Sequence, residues 1–184
     1  MNKSPYWADQ LARKVKQIHK VKTYVVQAGI TPSGRKHIGN YREIITNALV
    51  AKALGSKVIF QLGWDDYDQL RSIPAELKGE KLEKYLGQPV KKVPFKGTTY
   101  ADYFERILAK EIKDTGVTPK FISNYNYYKN GKFAKLIRTL MRERKKVAEI
   151  LNRSRKEPYP EDWYPVQLYC EKCNKNTTKI IKYN

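Results

Sequence analysis

At 184 residues, 41% of them hydrophobic, the chain suffices for one domain of ordinary size with a small appendage, and no apolar run approaches the roughly 20 residues of a membrane span. Thirty-seven lysines and arginines against eighteen acids leave a formal net charge of +19, a field that attracts polyanions and favours a nucleic-acid partner over a merely lysine-rich surface. The segment Met1-Asn2-Lys3-Ser4-Pro5-Tyr6-Trp7 lacks the apolar stretch of a secretory signal, so a soluble, cytoplasmic protein with no membrane partner is expected.

Trp7 to His19 carries Trp7, Leu11, Val15 and Ile18 at helical spacing, an apolar stripe beneath a basic face. Thr23–Gly29 is β-branched and apolar and predicts a buried first strand. Ile38–Leu54 predicts a helix with Ile44, Ile45, Ala48 and Leu49 on one face, and Gly55 is a natural terminator. Lys57–Leu62 predicts a second strand, so strand, turn, helix and strand follow within about 40 residues as a βαβ unit with parallel strands. Residues 72–98 are irregular and rich in Lys, Pro and Gly, a loop or insertion over the sheet. Thr99–Lys113 repeats a helical stripe through Tyr103, Ile107, Leu108 and Ile112 and closes at Gly116, before a short strand at Lys120–Ser123. From Lys132 to about Arg153 a long basic helix is expected, with Phe133, Leu136, Ile137, Leu140, Val147 and Ile150 inward. Pro158, Pro160 and Pro165 then break the chain. The fold class is α/β with a parallel sheet, divided into a core over residues 1–157 and an extended arm over residues 158–184.

Three groups of residues carry chemistry. The turn Pro32-Ser33-Gly34-Arg35-Lys36-His37-Ile38-Gly39-Asn40 joins a strand to a helix start, where backbone N–H groups and His37 can converge on phosphate and the glycines permit close approach. An ordinary βα turn with a surface histidine is the plainer reading, and the completeness of the set argues against it. Asp65, Asp66 and Asp68 follow the second strand, at the carboxyl end where parallel α/β sheets bind ligands, and could hold an ammonium group. A solvated acidic turn paired with Arg71 and nearby lysines is the alternative. Cys170 and Cys173 form the single C-x-x-C pair, a spacing that fits half of a four-ligand zinc site or two free thiols on an arm.

Together these residues resemble the class I lysyl-tRNA synthetases common in archaea and some bacteria. The likeness begins at Tyr6-Trp7-Ala8-Asp9 and runs through the HIGH-type turn ending at Asn40. Narrower than that turn are the block Asp65-Asp66-Tyr67-Asp68 with Leu70-Arg71, the helix start Tyr100-Ala101-Asp102, and Pro160-Glu161-Asp162-Trp163-Tyr164-Pro165 leading into Cys170-Glu171-Lys172-Cys173. The resemblance implies a Rossmann-like catalytic core in which lysine and ATP, with Mg2+, give lysyl-adenylate before transfer to tRNA-Lys. It places Pro32, Ser33, Gly34, His37, Gly39 and Asn40 around ATP, with His37 and Asn40 as catalytic contacts to phosphates or ribose and Gly39 against adenine. Gly29 and Thr31 would line the lysine pocket with Asp65, Asp66, Tyr67 and Asp68. Basic side chains between Lys132 and Lys146 could meet tRNA phosphates, although an amphipathic packing helix with a lysine-rich exterior is the favoured reading.

Three departures accompany the likeness. There is no KMSKS-type second loop, and Arg153-Ser154-Arg155 is a poor substitute. Lys96-Gly97-Thr98-Thr99 and Tyr103 offer no ligands for an additional Cys/His metal site. A second Cys pair and an α-helical anticodon region are missing too. The expectation is the N-terminal half of a lysine–tRNA ligase, as a truncation or a split subunit needing a complementary C-terminal polypeptide, with zinc bound only in the complete protein and little activity alone. A non-catalytic tRNA- or nucleotide-binding paralogue of the same fold is the alternative, and a small HIGH-type nucleotidyltransferase a further one.

Overall fold

The computed structural model describes residues 4–183. By internal contacts the chain divides into two units, one comprising the residues up to Asp66 together with Pro94–Asn124, the other Tyr67–Val93 with the residues from Tyr125 onward.

The first unit holds helix α1 (Trp7–Ile18), strand β1 (Tyr24–Ile30), helix α2 (Ile38–Leu54), strand β2 (Val58–Trp64), the short strands β3 (Pro94–Phe95) and β4 (Thr98–Thr99), helix α3 (Tyr100–Asp114) and strand β5 (Lys120–Ser123). β1, β2 and β5 form a parallel sheet in the order β1-β2-β5, with Gly29 beside Gly63, Ile30 beside Trp64, and Trp64 beside Ser123. The expected βαβ unit is therefore present, and α2 spans the predicted residues. Its C-terminal Gly55 sits at φ 91°, where a β-carbon would be strained. The core lies on one face of the sheet, where Ala28, Ile30, Leu62 and Trp64 meet Ile44 of α2 and Leu108 and Ile112 of α3. Burial of each large apolar side chain there contributes about 1.5–3 kcal/mol.

Residues of opposite parity point the other way. Val25 is 58% exposed and Ile59 40%, so β1 is half-buried rather than the buried strand its apolar run suggested. Helix α1 also departs from expectation. Ala8 and Ala12 are buried, whereas Trp7, Leu11 and Ile18 are exposed, because α1 lies against α2 through its small residues. β3 and β4 form a hairpin across Lys96 and Gly97, both at positive φ, which suits a two-residue turn. It seats Phe95 among Tyr100, Tyr103 and Phe104.

In the second unit, residues expected to be irregular form three 3-10 turns at Ala75–Glu80, Glu83–Tyr85 and Val90–Lys92, around buried Leu77, Leu82, Val90 and Val93. The segment folds back on itself through Leu70 N–H to Gln88 C=O and Val90 N–H to Asp68 C=O. The C-terminal arm is clipped to it: Asn176 N–H donates to Gly87 C=O, Gln88 Nε2 to Cys173 C=O, and Lys92 Nζ to Asn174 Oδ1. Helix α4 (Asn124–Lys129) starts at the boundary between the units, and the single basic helix expected next is two, α5 (Ala134–Arg142) and α6 (Arg144–Asn152). They break at Glu143, whose ψ of 16° leaves the helical range.

Candidate functional site

The turn between β1 and α2 is built by its own side chains. His37 is the N-cap of α2. Its Nδ1 accepts from Gly39 N–H at 3.1 Å, and Asn40 Oδ1 accepts from His37 N–H at 3.3 Å, a reciprocal capping box. An Nδ1 that accepts has its lone pair occupied, so the neutral ring carries its proton on Nε2. That leaves Nε2–H of an exposed histidine and the Nδ2 donors of Asn40 as side-chain donors at the positive end of a 17-residue helix. Gly39 must lack a β-carbon, since one built there would lie 2.8 Å from His37 Cε1 and 2.9 Å from Nδ1. Pro32 and Gly34 are buried under the turn and Ser33 is exposed on it.

Two residues that sequence reasoning passed over hold this turn in place. Lys36 Nζ donates to Thr31 C=O at 2.6 Å and to Ser33 Oγ at 3.1 Å, and burial lowers its pKa. Tyr100 O–H donates to Ser33 C=O at 3.1 Å from the first turn of α3. Lys36 stood within the motif, but nothing in its spacing told an internal brace from a solvated cation. Tyr100 was visible only as a helix start, capped by Thr99, whose Oγ1 accepts from Asp102 N–H.

Beyond β2 the pleat separates the first two acids. Asp65 continues the parity of Gly29 and Gly63 on the face opposite the core. Its N–H donates to Ile30 C=O at 3.0 Å, and its Oδ1 accepts from Asn124 Nδ2 at 2.8 Å. A β-carbon added to Gly29 would lie 3.4 Å from Asp65 Oδ2. The bare, exposed glycine leaves open space beside a half-buried carboxylate, at the ends of two adjacent parallel strands and close in sequence to the turn that begins at Pro32. Asp66 has the opposite parity and is fully buried, and its Oδ2 accepts from Ser123 O–H at 2.5 Å across β2 and β5. Asn124 and Ser123 complete this acidic corner, and only the strand pairing brings them to it.

Tyr67 and Asp68 belong to the second unit. Tyr67 sits among the rings of Tyr125, Tyr128 and Tyr169, with its C=O accepting from Tyr169 O–H at 2.7 Å. Burial, followed by the charge of Asp68, pushes the Tyr169 phenol up to about 12. Asp68 lies 4.0 Å from Arg71, an exposed pair worth little in water. In the arm, the N–H of Cys173 and then of Lys172 point at the Cys170 sulfur, and with the neighbouring Cys173 thiol they hold Cys170 below the ordinary thiol range. A thiolate-stabilising turn of this kind fits a metal ligand. Among the described residues, no cluster of three or more His, Cys, Asp and Glu could hold a metal ion. No helix among the described residues is long and apolar enough to cross a membrane.

Comparison with known proteins gives a consistent result. The sequence model of the family described as tRNA synthetases class I (K) matches residues 5–184. The lysine–tRNA ligase of Borrelia garinii subsp. bavariensis is 40% identical over 99% of this chain and 36% of that ligase. That of Methanocaldococcus jannaschii is 36% identical over 97% of the chain and 35% of the ligase, and that of Pyrococcus horikoshii 35% identical over 97% and 36%. The chain spans about a third of the length of these curated relatives.

Proposed function

Because the chain belongs to the class I (K) tRNA synthetases, we propose that it supplies the nucleotide turn and amino-acid recess of a lysine–tRNA ligase, acting in the cytoplasm within a longer or two-piece enzyme. The observation that carries this reading is the pairing of an exposed, bare Gly29 with the Asp65 carboxylate at the carboxyl ends of parallel β1 and β2, together with the His37–Asn40 capping box that opens α2.

In this reading ATP lies across Pro32, Ser33 and Gly34, with its adenine against the bare Gly39, and the His37 Nε2–H and Asn40 Nδ2 donate to its phosphates or ribose. The lysine ammonium pairs with Asp65 in the space that Gly29 and Thr31 leave open. Asp66 holds the corner from beneath through Ser123. Lysine needs no general base, since its carboxylate is ionised at pH 7. A carboxylate oxygen attacks the α-phosphorus, pyrophosphate leaves, and the terminal adenosine of tRNA-Lys then takes the lysyl group and releases AMP. The protein's part is positioning, together with donors aimed where phosphate charge builds up. Mg2+ on the nucleotide would neutralise phosphate charge. Zinc would be held by Cys170 and Cys173 with two further ligands from elsewhere, a structural role for the arm.

A complementary C-terminal polypeptide fits the sheet. Among the described residues β1 pairs on one side only, and Val25 and Ile59 are exposed on the face away from α2 and α3. An added segment that pairs with β1 and covers that face would also bring the second phosphate-handling loop.

The test is lysine-dependent ATP–pyrophosphate exchange, measured for the 184-residue chain alone and after addition of a polypeptide matching the remaining two-thirds of a related ligase. Exchange is expected only in the mixture, and His37→Ala should abolish it. Exchange by the chain alone would refute the need for a partner. Exchange in the mixture that responds to another amino acid, or persists at full rate in His37→Ala, would refute the assignment.

A further inference from the structure

Ser33 and Lys36 are held more tightly than a surface turn requires. Ser33 is exposed, yet three of its atoms are fixed. Its N–H donates to Thr31 C=O at 2.8 Å, its C=O accepts from Tyr100 O–H at 3.1 Å, and its Oγ accepts from Lys36 Nζ at 3.1 Å. Lys36 Nζ also donates to Thr31 C=O at 2.6 Å. The ammonium, Thr31 and Ser33 thus close a small ring just before α2, whose N-cap is the next residue, His37.

The donor inventory of this ring has two consequences. An ammonium only donates, so the bond from Lys36 occupies a lone pair of the Ser33 hydroxyl and leaves the hydroxyl proton unspent. Among the described residues the Ser33 O–H donates to no acceptor. That proton must point away from Nζ, and a hydroxyl that accepts from a cation is itself the stronger donor, because linked hydrogen bonds polarise one another. The second consequence concerns charge. Lys36 is half-buried, both of its acceptors are neutral, and among the described residues no carboxylate pairs with it. A partly desolvated cation without a counter-ion, next to the positive end of a 17-residue helix, is costly until an anion comes to it. A brace would need only the bond to Thr31 C=O. The bond to an exposed Oγ adds little to closing the turn, since the Thr31 and Tyr100 bonds already hold the Ser33 backbone.

We propose that Lys36 is a positioning residue for nucleotide phosphate: its ammonium takes a lone pair of Ser33 Oγ and so turns the Ser33 O–H outward as a donor to a phosphate oxygen. Tyr100 fixes the backbone from which Ser33 projects, and the phosphate supplies the counter-charge that Lys36 lacks. The proposal rests on reading the turn from Pro32 to Asn40 as the nucleotide site, and it adds a donor to that site together with the residue that aims it.

Equilibrium dialysis of the whole chain against radiolabelled ATP, adenosine or lysine tests it. Ser33→Ala should weaken ATP about tenfold, and Lys36→Met, which keeps the stem, about fivefold or more. Adenosine, which has no phosphate, should bind both variants as it binds the parent. In a Ser33→Ala background, Lys36→Met should cost less than about twofold further, because the hydroxyl it positions is gone. Lys36→Arg can still donate to both acceptors and should recover most of the loss. A bracing role gives a different pattern: Lys36→Met would then disturb Thr31 too, lowering the melting temperature and weakening adenosine and lysine along with ATP. That pattern, an ATP affinity unchanged in either single variant, or fully additive losses in the double variant would overturn the positioning role. Ser33→Ala removes no bond that holds the backbone, so its result stands even where Lys36→Met melts early. Absence of ATP binding to the parent, or binding that survives His37→Ala, overturns the nucleotide turn and this role with it. Binding lost in His37→Ala but kept in Lys36→Met overturns the role of Lys36 alone.

Discussion

Gly29→Ala separates the proposed lysine site from the fold that carries it. Gly29 lies in β1 with an extended backbone that alanine adopts freely, and the new methyl would meet Asp65 Oδ2 at 3.4 Å and Asp65 Oδ1 and Gly63 C=O at 4.0 Å, all ordinary contacts. The sheet should therefore keep its stability, or gain the roughly 0.5–1 kcal/mol by which alanine outlasts glycine inside a strand. The open space beside Asp65 in the proposed site, however, is filled. An ammonium bonded to the carboxylate at about 2.8 Å needs the space the methyl takes. Loss of one charge-assisted hydrogen bond costs about 1.5–3 kcal/mol, which is about 10- to 150-fold in lysine affinity. Equilibrium dialysis with radiolabelled lysine and the KM for lysine in the two-piece exchange assay should both report it, with ATP affinity and melting temperature preserved. A lysine affinity within about twofold of the parent, in a protein that melts no lower, would refute the placement of lysine beside Asp65.

The cap and the proposed ATP contact of His37 can be parted in the same way. His37→Asn retains an N-cap acceptor and should melt within about 0.5 kcal/mol of the parent while losing exchange activity, whereas Gly39→Ala collides with the ring and should lose both ATP affinity and about 0.5–2 kcal/mol of stability by thermal melting. Asp65→Asn keeps the oxygen that Asn124 needs and should weaken lysine binding about tenfold or more in dialysis with the fold intact. Asp66→Ala leaves the Ser123 hydroxyl without this acceptor in a buried site, and urea melts should show a loss of at least about 1–3 kcal/mol. The Tyr169 phenol titrates near 12 against an ordinary value of 10.0, so its neutral form is favoured by folding. That stabilisation is complete below pH 10.0 and should be lost as pH rises through about 12. Tyr169→Phe should flatten this part of the alkaline melting profile.

Motif order alone pointed to the family that the comparisons then established, and the periodicities located α2, α3, β1, β2 and β5 to within a few residues. These elements were legible because each has a local cause: a β-branched run, a capped start, a glycine stop. Features decided by packing were not legible in this way. The stripe of Trp7, Leu11 and Ile18 has the spacing of a buried face, yet α1 buries Ala8 and Ala12, since small residues let two helices approach closely. The long basic helix broke at Glu143, and the apparent loop and arm proved to be clipped together by bonds such as Lys92 to Asn174, between residues 82 positions apart.

The site divides along the same line. Residue types and spacing singled out the turn from Pro32 to Asn40 and the acidic block, and the sheet places Asp65 and the start of that turn after the ends of adjacent parallel strands. Only the folded sheet assigned the acids their different places. Asp65 and Asp66 are adjacent and chemically identical, but the pleat turns the first toward exposed Gly29 and buries the second against Ser123. Their difference arises from which neighbouring strand lies opposite, a long-range fact that no local pattern encodes.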